Sequence, residues 1–365
     1  MEAKHNNPAQ PNGPGPYGEL LPWFEWLDRV LAGAMTAAQS AYGEAAAADP
    51  YRGLYISHRD FENLLARGPA APAFVLNGKS GAPRAEDTRL GSLARRFGLS
   101  TFEAGVVVIA LAPEADLRYE RLYAYLQDDV TRRHPTIDLV LNLLCGSAEE
   151  KFRRRALFSG ESALLRYGLV RLTQDAHGEH SSLARAVRLD GTLVRYLLHQ
   201  DALDLAFERY CRIWEPQRPL EEAGGSEPHR RAIAALADRA KGGDGVLRLY
   251  FEGPDNARKR RSAEAIATLL HRRLLTGNLE EVAAASPDAD TAFRQIFREA
   301  RYRNAALLLT GVDAFRQDDR QTQWRSFLRT FSEDGEAPAV VVLSGEGSWN
   351  SLPAPEGTPA PEVFL

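Results

Sequence analysis

The chain has 365 residues, more than the roughly 250–300 at which a single core stops growing, so two or more domains are expected. With 44% hydrophobic residues, 26% charged and a formal net charge of −4, wholesale disorder and a globally basic nucleic-acid binder are both excluded. Cysteine occurs only at Cys145 and Cys211, with no C-x-x-C beside them, which argues against a disulfide framework and a structural zinc site.

Residues 1–16 are polar and rich in Pro, Asn and Gly and read as a flexible, disordered tail. No stretch approaches the ~20 apolar residues of a membrane span, and no apolar signal segment opens the chain, so a cytoplasmic protein in a reducing setting is expected. Leu21, Phe24, Leu27, Val30 and Leu31 then recur at helical spacing beside Trp23 and Trp26, an amphipathic helix. Pro, Gly and Ala crowd residues 68–88, which places a linker there, so 17–85 is read as a helical N-terminal region ending in a linker.

From Leu90 the pattern predicts a short helix to Phe97, then a turn at Gly98-Leu99 with Ser100 as N-cap. An apolar helix through Val106, Val107, Ile109 and Leu111 follows, ended by Pro113. Another helix is expected over 119–129, and Thr136 caps one running through Leu139, Leu141, Leu143 and Leu144. Leu164 to Leu172 alternates, a polar stretch with His177 and His180 intervenes, and Ala186 to Leu189 resumes the pattern. Helices leading into a hairpin predict a winged-helix-like interaction domain over 86–212. Between Glu86 and Gln200 there are 16 Lys and Arg against 15 Asp and Glu, too even a balance for phosphate-driven DNA binding. The basic runs Arg132-Arg133-His134 and Lys151 to Arg155 read as solvated helix ends. The two histidines lack a ligand set and read as a solvated wing tip.

Residues 213–244 read as a linker carrying one helix, and 245–365 as a second domain. Val246 to Phe251 is a buried-strand run, followed by a Gly-Pro turn and a helix from about Ala257. Strand, turn and helix are the context of a phosphate loop. The window Gly253-Pro254-Asp255-Asn256-Ala257-Arg258-Lys259-Arg260 keeps the first Gly and the Lys of G-x-x-x-x-G-K-[ST], with Arg258 at the second Gly and Arg260 at the hydroxyl that holds magnesium. Ala305 to Leu309 is a second buried strand, whose end would carry an acidic pair. Thr310 and Gly311 stand there instead and provide neither a metal-orienting nor a water-polarising carboxylate. Asp313 fits a further acid two residues on, with a loop or helix cap as its plainer role. A third strand, Ala339 to Leu343, leads to Glu346 where a polar γ-phosphate sensor would sit. Gly78-Lys79-Ser80 resembles the end of a phosphate loop, but Ala73 stands at the required Gly and no strand precedes it. Gly253, Lys259 and Asp313 remain as a degenerate nucleotide site, with no catalytic and no metal residue to name.

The chain resembles the AAA+ ATPases encoded with extracellular contractile injection systems, the phage-tail-like particles of bacteria. The similarity is carried by Ala112-Pro113-Glu114-Ala115-Asp116-Leu117-Arg118-Tyr119-Glu120-Arg121-Leu122-Tyr123-Ala124-Tyr125-Leu126-Gln127-Asp128-Asp129, which looks like that family's N-terminal winged-helix signature, and continues through Pro135 to Cys145 and Leu164 to Leu172. It implies a helical N-terminal part with a winged-helix-like domain, then a partial P-loop, AAA+-like parallel-sheet α/β domain. It further implies ATP with magnesium as ligands, here weak or lost, and proteins of the injection particle or further ATPase subunits as partners, with a homo-oligomer among the arrangements. The strand at 339–343 and the prolines at 353, 355, 359 and 361 leave no sequence for a last core strand and a helical lid. A fragment of a two-module ATPase and a shortened pseudo-ATPase both fit that reading. The function implied is assembly or remodelling of the particle. The alternative is a transcriptional regulator whose winged helix reads DNA beside a vestigial ATPase domain.

Overall fold

A computed structural model of the chain describes residues 15–42, 58–74, 81–83, 88–174, 181–203, 207–223, 226–242, 245–285, 289–316, 320–332, 338–353 and 360–364. The tail at 1–14, the Gly78-Lys79-Ser80 stretch, and His177 and His180 lie outside the described residues. The chain divides into two compact units, residues 1–200 and 201–365. Among the described residues, no helix is long and apolar enough to cross a membrane.

In the first unit, α1 (Pro16–Tyr42) buries Leu20, Trp23, Trp26, Leu27, Leu31 and Ala34. A helix with so broad an apolar stripe needs a partner. It finds one in α4 (Thr101–Ala115), where Gly105 leaves room for the Trp26 ring. A Cβ there would stand 3.2 Å from Trp26 Cη2. The expected separate region at 17–85 is therefore corrected, because its main helix is core of the same unit as the winged helix. Short α2 (His58–Ala66) follows α1.

Thr88 caps α3 (Arg89–Phe97), which ends on Gly98 at φ 61°. Ser100 and Glu103 form a full capping box at the start of α4, an apolar helix buried nearly all round. The expected stop at Pro113 is also corrected, since α4 runs on to Ala115. Proline has no N–H for the carbonyl four residues back. The hydroxyl of fully buried Tyr123, on α5 (Arg118–Leu126), donates to that Ile109 carbonyl instead, at 2.8 Å. Thr136 caps α6 (Ile137–Leu144) and Ser147 caps α7 (Ala148–Arg155). The alternation read from Leu164 is helical at first, because Ser162 caps α8 (Ala163–Arg166). The hairpin of β1 (Val170–Thr173) and β2 (Ala186–Leu189) follows as an antiparallel pair. Thr136 bridges to Ala186 at its edge, and α9 (Gly191–Leu197), capped by Asp190, completes the unit.

The second unit is a six-stranded, mostly parallel sheet. Its strands are β3 (Cys211–Trp214), β4 (Leu247–Glu252), β5 (Leu274–Asn278), β6 (Ala306–Thr310), β7 (Val340–Gly345) and β8 (Glu362–Phe364). They lie in the order β3-β5-β6-β7-β4-β8. Every pairing is parallel except β3 with β5. Strand alternation splits the core. Leu249, Phe251, Leu274, Leu308 and Val342 face α10 (Glu227–Gly242) and α11 (Asn256–Leu269). Tyr250, Leu275, Leu307, Val341 and Leu343 face α12 (Leu279–Ala285), α13 (Ala289–Tyr302) and α14 (Gln321–Ser332). Both faces are covered, as a parallel sheet requires.

Two boundaries are corrected here. Residues 211–214, split between the winged-helix domain and a linker, pair with Leu274–Gly277, and Trp214 Nε1 donates to Thr276 Oγ1 at 3.1 Å. The helix within 213–244 is core rather than linker, with Ile233 and Ala237 fully buried. The last core strand, for which no sequence was expected to remain, exists as β8 beside β4, with Leu249 opposite Glu362. Three residues suffice for an edge strand, and the Arg239–Glu362 ion pair at 2.6 Å holds it.

Candidate functional site

β4 ends at Glu252 and α11 begins at Asn256, so only Gly253, Pro254 and Asp255 connect them. Gly253 takes φ 119°, which only glycine adopts without strain. A phosphate cradle requires consecutive free backbone N–H groups. Here Asn256 N donates to Pro254 O at 3.0 Å and Lys259 N to Asp255 O at 3.1 Å. Arg258 N donates to Asp255 Oδ1 at 2.8 Å. The Asp255 carboxyl is held below the usual carboxylate range, foremost by that Arg258 N–H, which outweighs desolvation, with the nearby Arg261 and Arg258 charges adding to it. An anion built into the chain therefore occupies the helix start.

Lys259 is the fourth residue of α11 rather than its first, and it is buried. Its Nζ donates to Gly253 O at 2.6 Å and to Gly345 O at 3.0 Å, stapling the end of β4 to the end of β7. Burial lowers its pKa, opposed by the charges of Asp313, Glu346 and Asp255. Gly253 and Lys259 are thus brought together, but as carbonyl and ammonium of one strut.

At the end of β6, Thr310 Oγ1 donates to Gly277 O at 3.3 Å. Gly311 has φ 78°, and a Cβ there would stand 2.4 Å from Asn278 Oδ1. This backbone leaves no room for a water-polarising glutamate. Asp313, in the 3₁₀ turn Val312–Arg316, accepts from Arg316 Nε at 2.8 Å, Glu346 N at 2.7 Å and Gly347 N at 3.3 Å. Burial would raise its pKa, but these hydrogen bonds and the Arg316 charge outweigh it and lower the carboxyl. Tyr250 Oη on Gly347 O (2.5 Å) and Arg316 Nη2 on Ser348 O (3.1 Å) hold the same loop. Asp313 is a clamp on the segment after β7, its oxygens facing donors. Among the described residues, no group of three or more His, Cys, Asp or Glu is placed to hold a metal ion.

A cavity of about 460 Å³ on the α11 side, lined by Arg212, Arg260, Thr276, Asn278, Thr310 and Ser344 among others, escaped the sequence reading. The available signal was a polar residue at the last α11-facing position of three otherwise apolar strands.

A family model described as a winged helix domain, variant, matches residues 76–210. No curated protein matches the chain. Among solved structures, the crystal structure of the FIGL-1 AAA domain in complex with ADP is similar at 13% identity and a TM-score of 0.33, over 41% of this chain and 54% of that one. The chain thus spans about half the length of that structure.

Proposed function

We propose that the chain is a non-hydrolysing AAA-like protein that acts through protein contacts, assisting assembly or remodelling of a contractile injection particle. One observation carries the first part: Lys259 is spent on two backbone carbonyls while Asp255 occupies the helix start where phosphate would sit. The winged-helix match and the mostly parallel α/β unit support the architecture. The particle itself rests on the resemblance of residues 112–129. In this reading ATP and magnesium are dispensable, and the partners are particle proteins or further ATPase subunits, with self-association among them. Magnesium-dependent phosphate release at millimolar ATP tests it, comparing the unmodified chain with Lys259→Ala and with Thr310→Asp plus Gly311→Glu. All three should match buffer. Turnover by the unmodified chain that disappears in Lys259→Ala would overturn the reading.

One observation favours the DNA-reading alternative. Arg171 and Arg188 lie directly opposite one another across the hairpin, both exposed. Like charges so placed repel unless an anion answers them, though Arg171 already pairs with Asp190. A gel shift with random duplex across a salt series separates the readings, since phosphate-driven binding weakens steeply with salt.

A further inference from the structure

The run Lys151-Phe152-Arg153-Arg154-Arg155 reads as a solvated helix end, yet α7 splits it into two faces. Lys151 turns inward and is buried, its Nζ donating to Asp138 Oδ1 at 3.1 Å and to Asn142 Oδ1 at 2.7 Å. Arg154 lies 4.6 Å over the Phe102 ring. Phe158, which closes the 3₁₀ turn Ala156–Phe158 continuing the helix, is buried as well. At 3.6 residues per turn, these anchors send Glu149, Phe152, Arg153 and Ala156 outward. All four are exposed, and Phe152 is 65% exposed. Fraying does not account for the ring, because the helix start is tied twice. Ser147 Oγ accepts from Glu150 N at 3.2 Å, and Glu150 Oε2 accepts from Gly146 N at 3.0 Å.

The outward face has a definite chemistry. Ala148 and Ala156 stand one turn to either side of Phe152 and are too small to cover the ring. Arg155 flanks it on one side, exposed and held by Nη2 on Ser182 Oγ at 2.7 Å. Arg153 flanks it on the other and makes no hydrogen bond or ion pair among the described residues. Aromatic rings and arginines are the side chains enriched at the centres of protein interfaces. Glu149 shares the face, and residues 86–200 balance 16 Lys and Arg against 15 Asp and Glu, both of which oppose phosphate-driven binding of nucleic acid. A protein partner is favoured.

We infer that the outer face of α7 docks an acidic segment of a partner protein, which takes the Phe152 ring into an apolar site and sets carboxylates against Arg153 and Arg155. Burial of the ring supplies attraction, and charge-assisted pairs with two guanidinium forks set the orientation. With α7 pinned by its cap and by Lys151, little freedom is lost on binding. This docking rests on the reading that the chain acts through protein contacts, and it adds the surface and the charge of the partner.

A random peptide library of about 12 residues, selected on the full chain at about 0.15 M salt, tests it. Enriched peptides should carry Asp or Glu around at least one large apolar residue. A synthetic peptide from that set should bind about tenfold or more weakly to Phe152→Ala, and likewise to Arg153→Glu plus Arg155→Glu. Arg329→Glu, exposed on α14 of the second unit, should change its binding less than about twofold. Exchanging the acids of the peptide for lysine should restore binding to the double variant, which a merely structural role of the arginines would not do. Circular dichroism melts control for folding, and Arg153→Glu alone carries the charge comparison should the double variant fail to fold. No enrichment, an enriched set without acids, or binding that survives Phe152→Ala overturns the inference. So does a dimer in sedimentation that Phe152→Ala dissolves, which would make the occupant a second copy. A gel shift with random duplex separates the two levels of the reading. Duplex binding lost in Phe152→Ala would strike both the docking and the protein-contact reading, whereas an empty selection without duplex binding strikes the docking alone.

Discussion

If Lys259 is a strut, replacing it by methionine should weaken the fold rather than a nucleotide site. The substitution keeps the stem length and removes two charge-assisted hydrogen bonds, at 2.6 Å to Gly253 O and 3.0 Å to Gly345 O. Each such bond is worth about 1.5–3 kcal/mol. Part returns because the variant no longer buries an ammonium, which leaves a net loss of about 2–4 kcal/mol. At about 2–4 °C per kcal/mol for a unit of this size, the melting temperature of residues 201–365 should fall by roughly 5–12 °C. Scanning calorimetry reads this, with the emission of Trp214, Trp324 and Trp349 assigning the transition to the second unit. The pH dependence has a definite sign. Burial lowers the lysine pKa in the fold, so its contribution is fully favourable above the unfolded value near 10.4 and is lost as pH falls through the folded value. Relative to Lys259→Met, the unmodified chain should therefore gain stability as pH rises across that alkaline window and lose it as pH falls back through the lowered folded value. A melting temperature changed by less than about 1 °C, together with loss of ATP binding, would refute the strut and restore the lysine to nucleotide chemistry.

Asp313→Asn should cost about 1 kcal/mol at pH 7, a figure discounted for the solvent reaching this carboxylate. The loss should close as pH falls through the lowered folded pKa of Asp313, because that carboxylate stabilises only while ionised; urea midpoints across a pH series check it. Tyr123→Phe should cost about 1–3 kcal/mol by orphaning Ile109 O, and clearly less in a Pro113→Ala background where a backbone N–H returns, which a double-mutant cycle in urea measures. Gly105→Ala should destabilise the first unit by about 1–3 kcal/mol through the 3.2 Å approach to Trp26. A fragment of residues 1–200 should unfold cooperatively in circular dichroism melts, whereas one of 86–200, stripped of α1, should not.

Local chemistry made much of the fold legible. Ser100 and Thr136 cap the helices expected of them, and the apolar runs beginning at Val246, Ala305 and Ala339 are strands shifted by only one residue at their starts. Where reading failed, a distant group had supplied what the local pattern lacked. Pro113 stays inside a helix because Tyr123, fourteen positions from Ile109, answers the freed Ile109 carbonyl. Cys211–Trp214 is too short and too close to charged and proline-rich sequence to read as a strand until β5 offers its edge. The cavity was hidden for a related reason. Thr276, Thr310 and Ser344 are single polar residues at strand ends, and only the sheet order brings them side by side.

The turn between β4 and α11 shows why a residue at a motif position does not carry the motif's chemistry with it. Spacing places Lys259 six positions after Gly253, as a phosphate loop does, but spacing does not say where the helix begins. Asp255 decides that. Its carboxylate caps Arg258 N and its carbonyl takes Lys259 N, so the helix is under way from Asn256 and Lys259 falls on its fourth residue. At 1.5 Å per residue, a start three residues early displaces the lysine about 4.5 Å along the axis relative to one that opens the helix. That distance exceeds a hydrogen bond, enough to exchange a phosphate for the carbonyls of Gly253 and Gly345. Asp255, whose charge alone would only repel phosphate, is therefore the residue that closes the loop. Restoring a glycine at Arg258 would not reopen it while that cap remains.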